Sequence, residues 1–89
     1  MQAAAVVANG ETETATLASG LYILYTARTA YGRVFSNANA YLIGIANSSI
    51  GYISRMTGLN SEAMTVSVSG NVLTLNSVVA QAGYWLYYI

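Results

Sequence analysis

Few residues in this 89-residue chain could do chemistry. The charged side chains are Glu11, Glu13, Glu62, Arg28, Arg33 and Arg55, which sum to zero. Lys, Asp, His, Cys and Pro are absent. Glu11 and Glu13 stand two apart, so on a strand their carboxylates share a face. Such a pair could serve a glycosidase or hold calcium. Nothing else supplies oxygen ligands at the needed spacing, so the pair reads as a solvated polar strand. Glu62 and Arg55 read as a surface ion pair. Ser48, Ser49 and Ser54 have no base to activate them. Without His or Cys there is no thiolate nucleophile, no usual zinc site and no imidazole acid or base. The glycines are scattered as turn residues and build no phosphate-cradling loop. Three Arg without Lys make no basic patch for nucleic acid. The expectation is a protein that is not an enzyme, with no catalytic residue, cofactor, metal or nucleic-acid partner.

The aromatic residues carry more. Eight Tyr, one Trp and one Phe occur, and Tyr joins an apolar ring to a polar tip, which suits interfaces and sugar-binding surfaces. Tyr22, Tyr25, Tyr41, Trp85 and Tyr87 sit in strongly apolar segments and are expected in core or subunit packing, as an oligomer interface. Tyr31 lies in a turn beside Gly32, next to Arg33, with Ser36-Asn37-Ala38-Asn39 following. A ring for the apolar face of a sugar, with Arg and amides for its hydroxyls, makes Tyr31, Arg33, Asn37 and Asn39 the expected ligand-binding loop.

The elements that must position these groups follow from punctuation and periodicity. The chain is 55% hydrophobic and 7% charged, which excludes disorder. Its length is that of one small domain, with 1–10 an N-terminal extension or first strand and 11–89 the sandwich. Apolar runs are separated every 8–12 positions by Gly, Asn and Ser, the all-β pattern. Strands are expected near 3–7, 12–17, 21–29, 31–35, 40–47, 50–57, 63–69, 72–77 and 83–89. If Gly70-Asn71 is a two-residue type II′ turn, Ser69 faces Val72, Val68 faces Leu73, Ser67 faces Thr74 and Val66 faces Leu75. Val66, Val68, Leu73 and Leu75 then line one face, and a one-residue slip would mix the faces.

Residues 21–25, 41–43 and 84–89 are apolar on both faces. A strand of that kind is buried on both sides, yet a two-layer domain covers one. A second subunit is the simplest cover. Free strand edges are normally blunted by Lys, Pro or inward charge, and this chain has neither Lys nor Pro. An obligate oligomer is therefore expected, with a deliberate fibre former as the rival. No stretch approaches about 18 uninterrupted apolar residues, so a spanning helix is not expected. A lipid-facing barrel built from several copies is disfavoured by the Ser, Thr and Asn in most segments. The N-terminal apolar run lacks the positive region of a signal peptide. Asn47-Ser48-Ser49 fits an N-glycosylation acceptor, which matters only in a eukaryotic secretory host.

The order of segments resembles the small C-terminal β-sandwich head domains of bacteriophage tail fibres and related virion appendages. The matching stretches are Ser19 to Thr26, Ala40 to Gly44, Gly51 to Ser54, the hairpin from Thr65 to Leu75, and the apolar strand from Trp85 to Ile89. The match covers residues 11–89 and is a pattern of strands and turns. The resemblance implies a trimer that caps a fibre, touches a host-surface glycan or protein, and sits among other virion proteins. Such heads normally follow a shaft, and little precedes residue 11. A piece of a longer fibre protein and a stand-alone decoration protein are both compatible. The expectation drawn from all of this is an all-β, jelly-roll-like antiparallel sandwich of about eight short strands. It would act in the virion as a receptor-binding trimer, or else as a purely structural subunit.

Overall fold

The computed structural model describes residues 2–31, 33–57 and 61–89, with the backbone alone for 2–4, 35 and 57. The fold is all-β. Eight strands follow one another: β1 (Gln2–Val7), β2 (Thr12–Thr16), β3 (Gly20–Ala30), β4 (Arg33–Ala46), β5 (Ile50–Thr57), β6 (Met64–Ser69), β7 (Val72–Ser77) and β8 (Ala82–Tyr88). They form a five-stranded sheet in the order β1-β8-β3-β4-β5 and a three-stranded sheet in the order β2-β7-β6, antiparallel throughout. β1, β8 and β3 opposite β2 and β7 give the jelly-roll-like part, in which consecutive strands change sheet. β3, β4 and β5 then run as a meander in one sheet before β6 crosses to the other.

Tight turns set the registers. In the β6–β7 hairpin Ser69 pairs with Val72, Val68 with Leu73, Ser67 with Thr74 and Val66 with Leu75. Gly70 supplies the positive φ of 59° that the first central position of a type II′ turn requires. The β4–β5 turn uses Asn47 and Ser48, both at positive φ (53° and 55°), as a type I′ turn demands. The Ser49 N–H donates to the Ala46 carbonyl across it.

The core lies between the sheets. Tyr22, Leu24, Ile43 and Leu86 point inward from the large sheet against Met64, Leu73 and Leu75 from the small one, and all are buried. The sheets approach each other closely at Gly51. A methyl placed there would overlap the Gly70 carbonyl and a Val68 methyl, so β5 meets the β6–β7 turn through a position with no side chain.

Two expectations change. The segments 31–35 and 40–47 are one strand, β4, of 14 residues. The amide-rich stretch between them reads as a loop, but a bulge absorbs it. Pairing with β3 shifts between Thr26 and Arg28, opposite the stretch from Ser36 to Asn39. Asn37 takes a left-handed φ of 58° there, which Asn tolerates at low cost. Glu13 is the second change. It sits opposite Leu75 on the inward side of β2, half-buried, rather than on a solvated face.

Candidate functional site

The two sheets present outer faces of opposite chemistry. On the small sheet Thr12, Thr14 and Thr16 of β2 lie beside Asn76, Thr74 and Val72 of β7, which lie beside Thr65, Ser67 and Ser69 of β6. The Thr12 hydroxyl donates to the Asn76 amide oxygen at 2.8 Å. Such a face is satisfied by water, as one side of an antiparallel sheet commonly is.

The outer face of the large sheet is apolar. Strand alternation places Leu21, Ile23 and Tyr25 of β3 there, with Leu42 and Gly44 of β4, Ile50 and Tyr52 of β5, and Trp85 and Tyr87 of β8. None of these is charged, and Ser54 of β5, opposite Leu42, is the polar side chain that shares their face. Tyr25 and Trp85 partly cover each other, with ring centroids 5.7 Å apart. Toward the β4–β5 turn the cover fails: Leu21 is 51%, Ile50 63% and Tyr52 67% exposed. The Ile89 N–H donates to the Leu21 carbonyl, which extends this face by one more apolar residue.

The four tyrosines and one tryptophan expected at an interface divide by parity. Tyr25, Trp85 and Tyr87 are on the outer face. Tyr22 and Tyr41 are not: both are buried between the sheets, because they share the inward parity of Leu24 and Ile43. The Tyr22 hydroxyl donates to the Ala18 carbonyl at 2.8 Å, and its ring meets Tyr88 edge-on at 5.2 Å. Their role is core packing. Burial, then the Glu62 carboxylate, pushes the Tyr41 phenol above its ordinary pKa, with Arg55 acting the other way. Arg55 and Glu62 form the expected surface ion pair at 3.6 Å. The Tyr84 phenol is likewise pushed up, by burial and then by the Glu13 carboxylate.

The expected ligand-binding quartet also divides. Tyr31 stands fully exposed at the β3–β4 turn with a φ of 53°, and Arg33 beside it is exposed. Asn37 is half-buried in the bulge, where its amide oxygen accepts from the Ser36 hydroxyl at 2.6 Å. Asn39 is fully buried, paired with Thr26 on the inward side, and donates to the Ser61 carbonyl at 3.5 Å. The cause is the continuity of β4, which turns Asn39 into a core-facing strand residue. The turn therefore presents one ring and one cation at its tip, with the amides behind them.

Leu21 and Leu42 belong to segments expected to need cover, while Ile50 and Tyr52 join this face without having been expected there. Their signal was readable: Ile50 and Tyr52 share a parity, and Gly51 between them is the residue able to face a close-packed neighbour. Among the described residues no group of three His, Cys, Asp or Glu side chains is placed to hold a metal ion.

No protein-family model matches the chain, and no curated protein matches it. Among solved structures it is similar in fold to the tailspike protein of Acinetobacter phage vB_ApiP_P1, at 11% identity and a TM-score of 0.56, a likeness that covers 99% of this chain and 21% of the tailspike.

Proposed function

We propose that the chain is a non-catalytic β-sandwich module of a bacteriophage appendage, a fibre-tip or head domain. In the virion it assembles with copies of itself as a trimer and binds a host-surface ligand, a glycan. The observation that carries this reading is the contrast between the two outer faces. A hydroxyl-rich small sheet suits water, while a five-stranded face of Leu, Ile, Tyr and Trp calls for protein. The likeness in fold to a phage tailspike supports the appendage setting.

Glycan recognition is assigned to the β3–β4 turn. Tyr31 offers a free ring, and Arg33 offers donors for hydroxyl or carboxylate groups. A turn at the end of a sandwich can carry such groups without disturbing the core. Shallow contacts of this kind are weak singly, and three copies raise them by avidity.

The test is binding of the oligomer to an array of bacterial surface glycans, with the Tyr31→Ala, Arg33→Ala double variant beside it. Binding lost in the double variant, with the oligomer intact, supports the site. Undiminished binding moves recognition elsewhere. No binding by the parent chain leaves a purely structural subunit, such as a decoration or fibre component.

A further inference from the structure

Gly44 stands two residues before the end of β4, opposite Leu21 on one side and Tyr52 on the other. Glycine in a strand interior weakens the strand, and normally marks a bulge, a bend, or a place where another group comes close. The bulge explanation fails, because pairing is regular on both sides of Gly44 and the shifts lie nearer Thr26 and Tyr41. Backbone conformation does not require it either, since among the described residues the glycines with positive φ are Gly10, Gly20 and Gly70. Nor does crowding: a methyl built on Gly44 would meet only the Leu21 side chain, at an ordinary 3.6 Å. Tyr52 does not lie over the gap, as an aromatic opposite a strand glycine often does. Among the described residues, neither backbone conformation, pairing nor crowding calls for a glycine here.

A shallow, wide-open hollow of about 380 Å³ lies over Gly44, bordered by Leu21, Ala46, Ile50 and Tyr52, and its surface is almost wholly apolar. It sits in the part of the outer face where exposure is greatest.

We propose that this hollow is a socket for an apolar side chain of a second copy of the chain. The inference rests on the self-assembly reading and specifies its contact. Three features of the face select the occupant. No charged side chain lines the socket, so an ionic or strongly polar partner finds nothing to pair with. Leu21, Ile50 and Tyr52 around the socket are 51%, 63% and 67% exposed and stand together, the clustered apolar exposure that marks a protein contact. The knobs that a socket needs stand on the same sheet: Val6, Tyr87 and Ile89 project from it at 66%, 38% and 61% exposure. A copy of this chain thus brings both halves of the contact.

Sedimentation equilibrium of the parent chain and of Gly44→Leu tests this, with a far-UV spectrum for the sheet fold. Leu fills the socket with apolar atoms, so a merely hydrophobic surface would associate as well or better. The expected result is a folded Gly44→Leu whose association is at least ten-fold weaker. A folded variant that associates as tightly as the parent overturns the socket.

If Gly44→Leu does not fold, a second measurement decides. The chain has no cysteine, so Tyr52→Cys carries a unique thiol, and Tyr31→Cys supplies a fully exposed reference. In the assembled state Tyr52→Cys should react at least ten-fold more slowly than Tyr31→Cys with a soluble thiol reagent. Equal rates overturn the socket. A monomeric parent sinks the assembly reading itself. An oligomeric parent with a freely reactive Tyr52→Cys sinks the socket alone.

Discussion

Gly51→Ala is the sharpest single test of how the two sheets meet. Gly51 of β5 pairs with Ile45 of β4 and faces the β6–β7 turn of the other sheet. The added methyl would overlap the Gly70 carbonyl and a Val68 methyl. A flexible side chain could swing away, but the Gly70 carbonyl belongs to a two-residue turn whose register is set on both sides. The sheets must therefore separate locally. Overpacking of this kind costs about 1–3 kcal/mol, and a backbone obstacle places it near 3. For a domain of this size each kcal/mol moves the melting temperature by about 4–8 °C, so the expected fall is about 12–24 °C. That is a large part of a total stability of about 4–13 kcal/mol. Ser67→Ala is the control, because it trims an exposed side chain on the outer face of the small sheet, away from both the Gly51 contact and the Gly44 socket. It should move the midpoint by no more than about 4 °C in either direction. The assay is thermal unfolding followed by circular dichroism at one protein concentration for all three chains. A Gly51→Ala midpoint within about 4 °C of the parent would refute the close approach of β5 to the β6–β7 turn.

Other outcomes follow from the same geometry. Leu73→Asp buries a charge with no partner, at a cost of several kcal/mol that matches the stability of the whole domain, so expression should give unfolded or insoluble protein. Ser67→Asp, on the exposed face of the same hairpin, should change stability by about 0.5 kcal/mol or less in urea titration. Removing Tyr87-Tyr88-Ile89 takes away the Tyr88 ring from Tyr22 and the Ile89 link to Leu21, and should yield insoluble protein; an unchanged melting temperature would contradict this. Because the Tyr41 and Tyr84 phenols are raised in the folded chain, the unfolded chain ionises first as pH climbs through about 10. Stability contributed by these groups is complete below that pH and is lost above it. Unfolding free energy should therefore drop between pH 9 and pH 11, and less steeply in Tyr41→Phe.

What could be read in the residues differs from element to element, for physical reasons. The β6–β7 hairpin was legible to the residue. Its turn glycine, its strict alternation and its single buried face all demand one register. The two-faced strands were legible as a need for cover. Which tyrosine lay on which face was not, because a strand apolar on both sides has no parity signal of its own. Tyr22 and Tyr41 could therefore only be grouped with the other rings as core or interface residues, and partner strands turn them into the core. Asn37 and Asn39 misled in another way. Amides are common in loops, yet one left-handed Asn in a bulge lets the strand continue and carries Asn39 inside. Glu13 misled because alternation with Thr resembles a solvated strand, although at the end of a small sandwich a carboxylate can face inward beside a phenol. The socket at Gly44 was invisible without the fold, since nothing in a strand sequence separates a glycine needed by the backbone from one left open for a neighbour.

The central claim is that the apolar face of the five-stranded sheet is covered by copies of the same chain. Sedimentation equilibrium of the purified chain at low micromolar concentration tests it most directly. The account predicts a folded species at a multiple of the 9.4 kDa chain mass, three-fold for the trimer. A folded, soluble species at 9.4 kDa would contradict it.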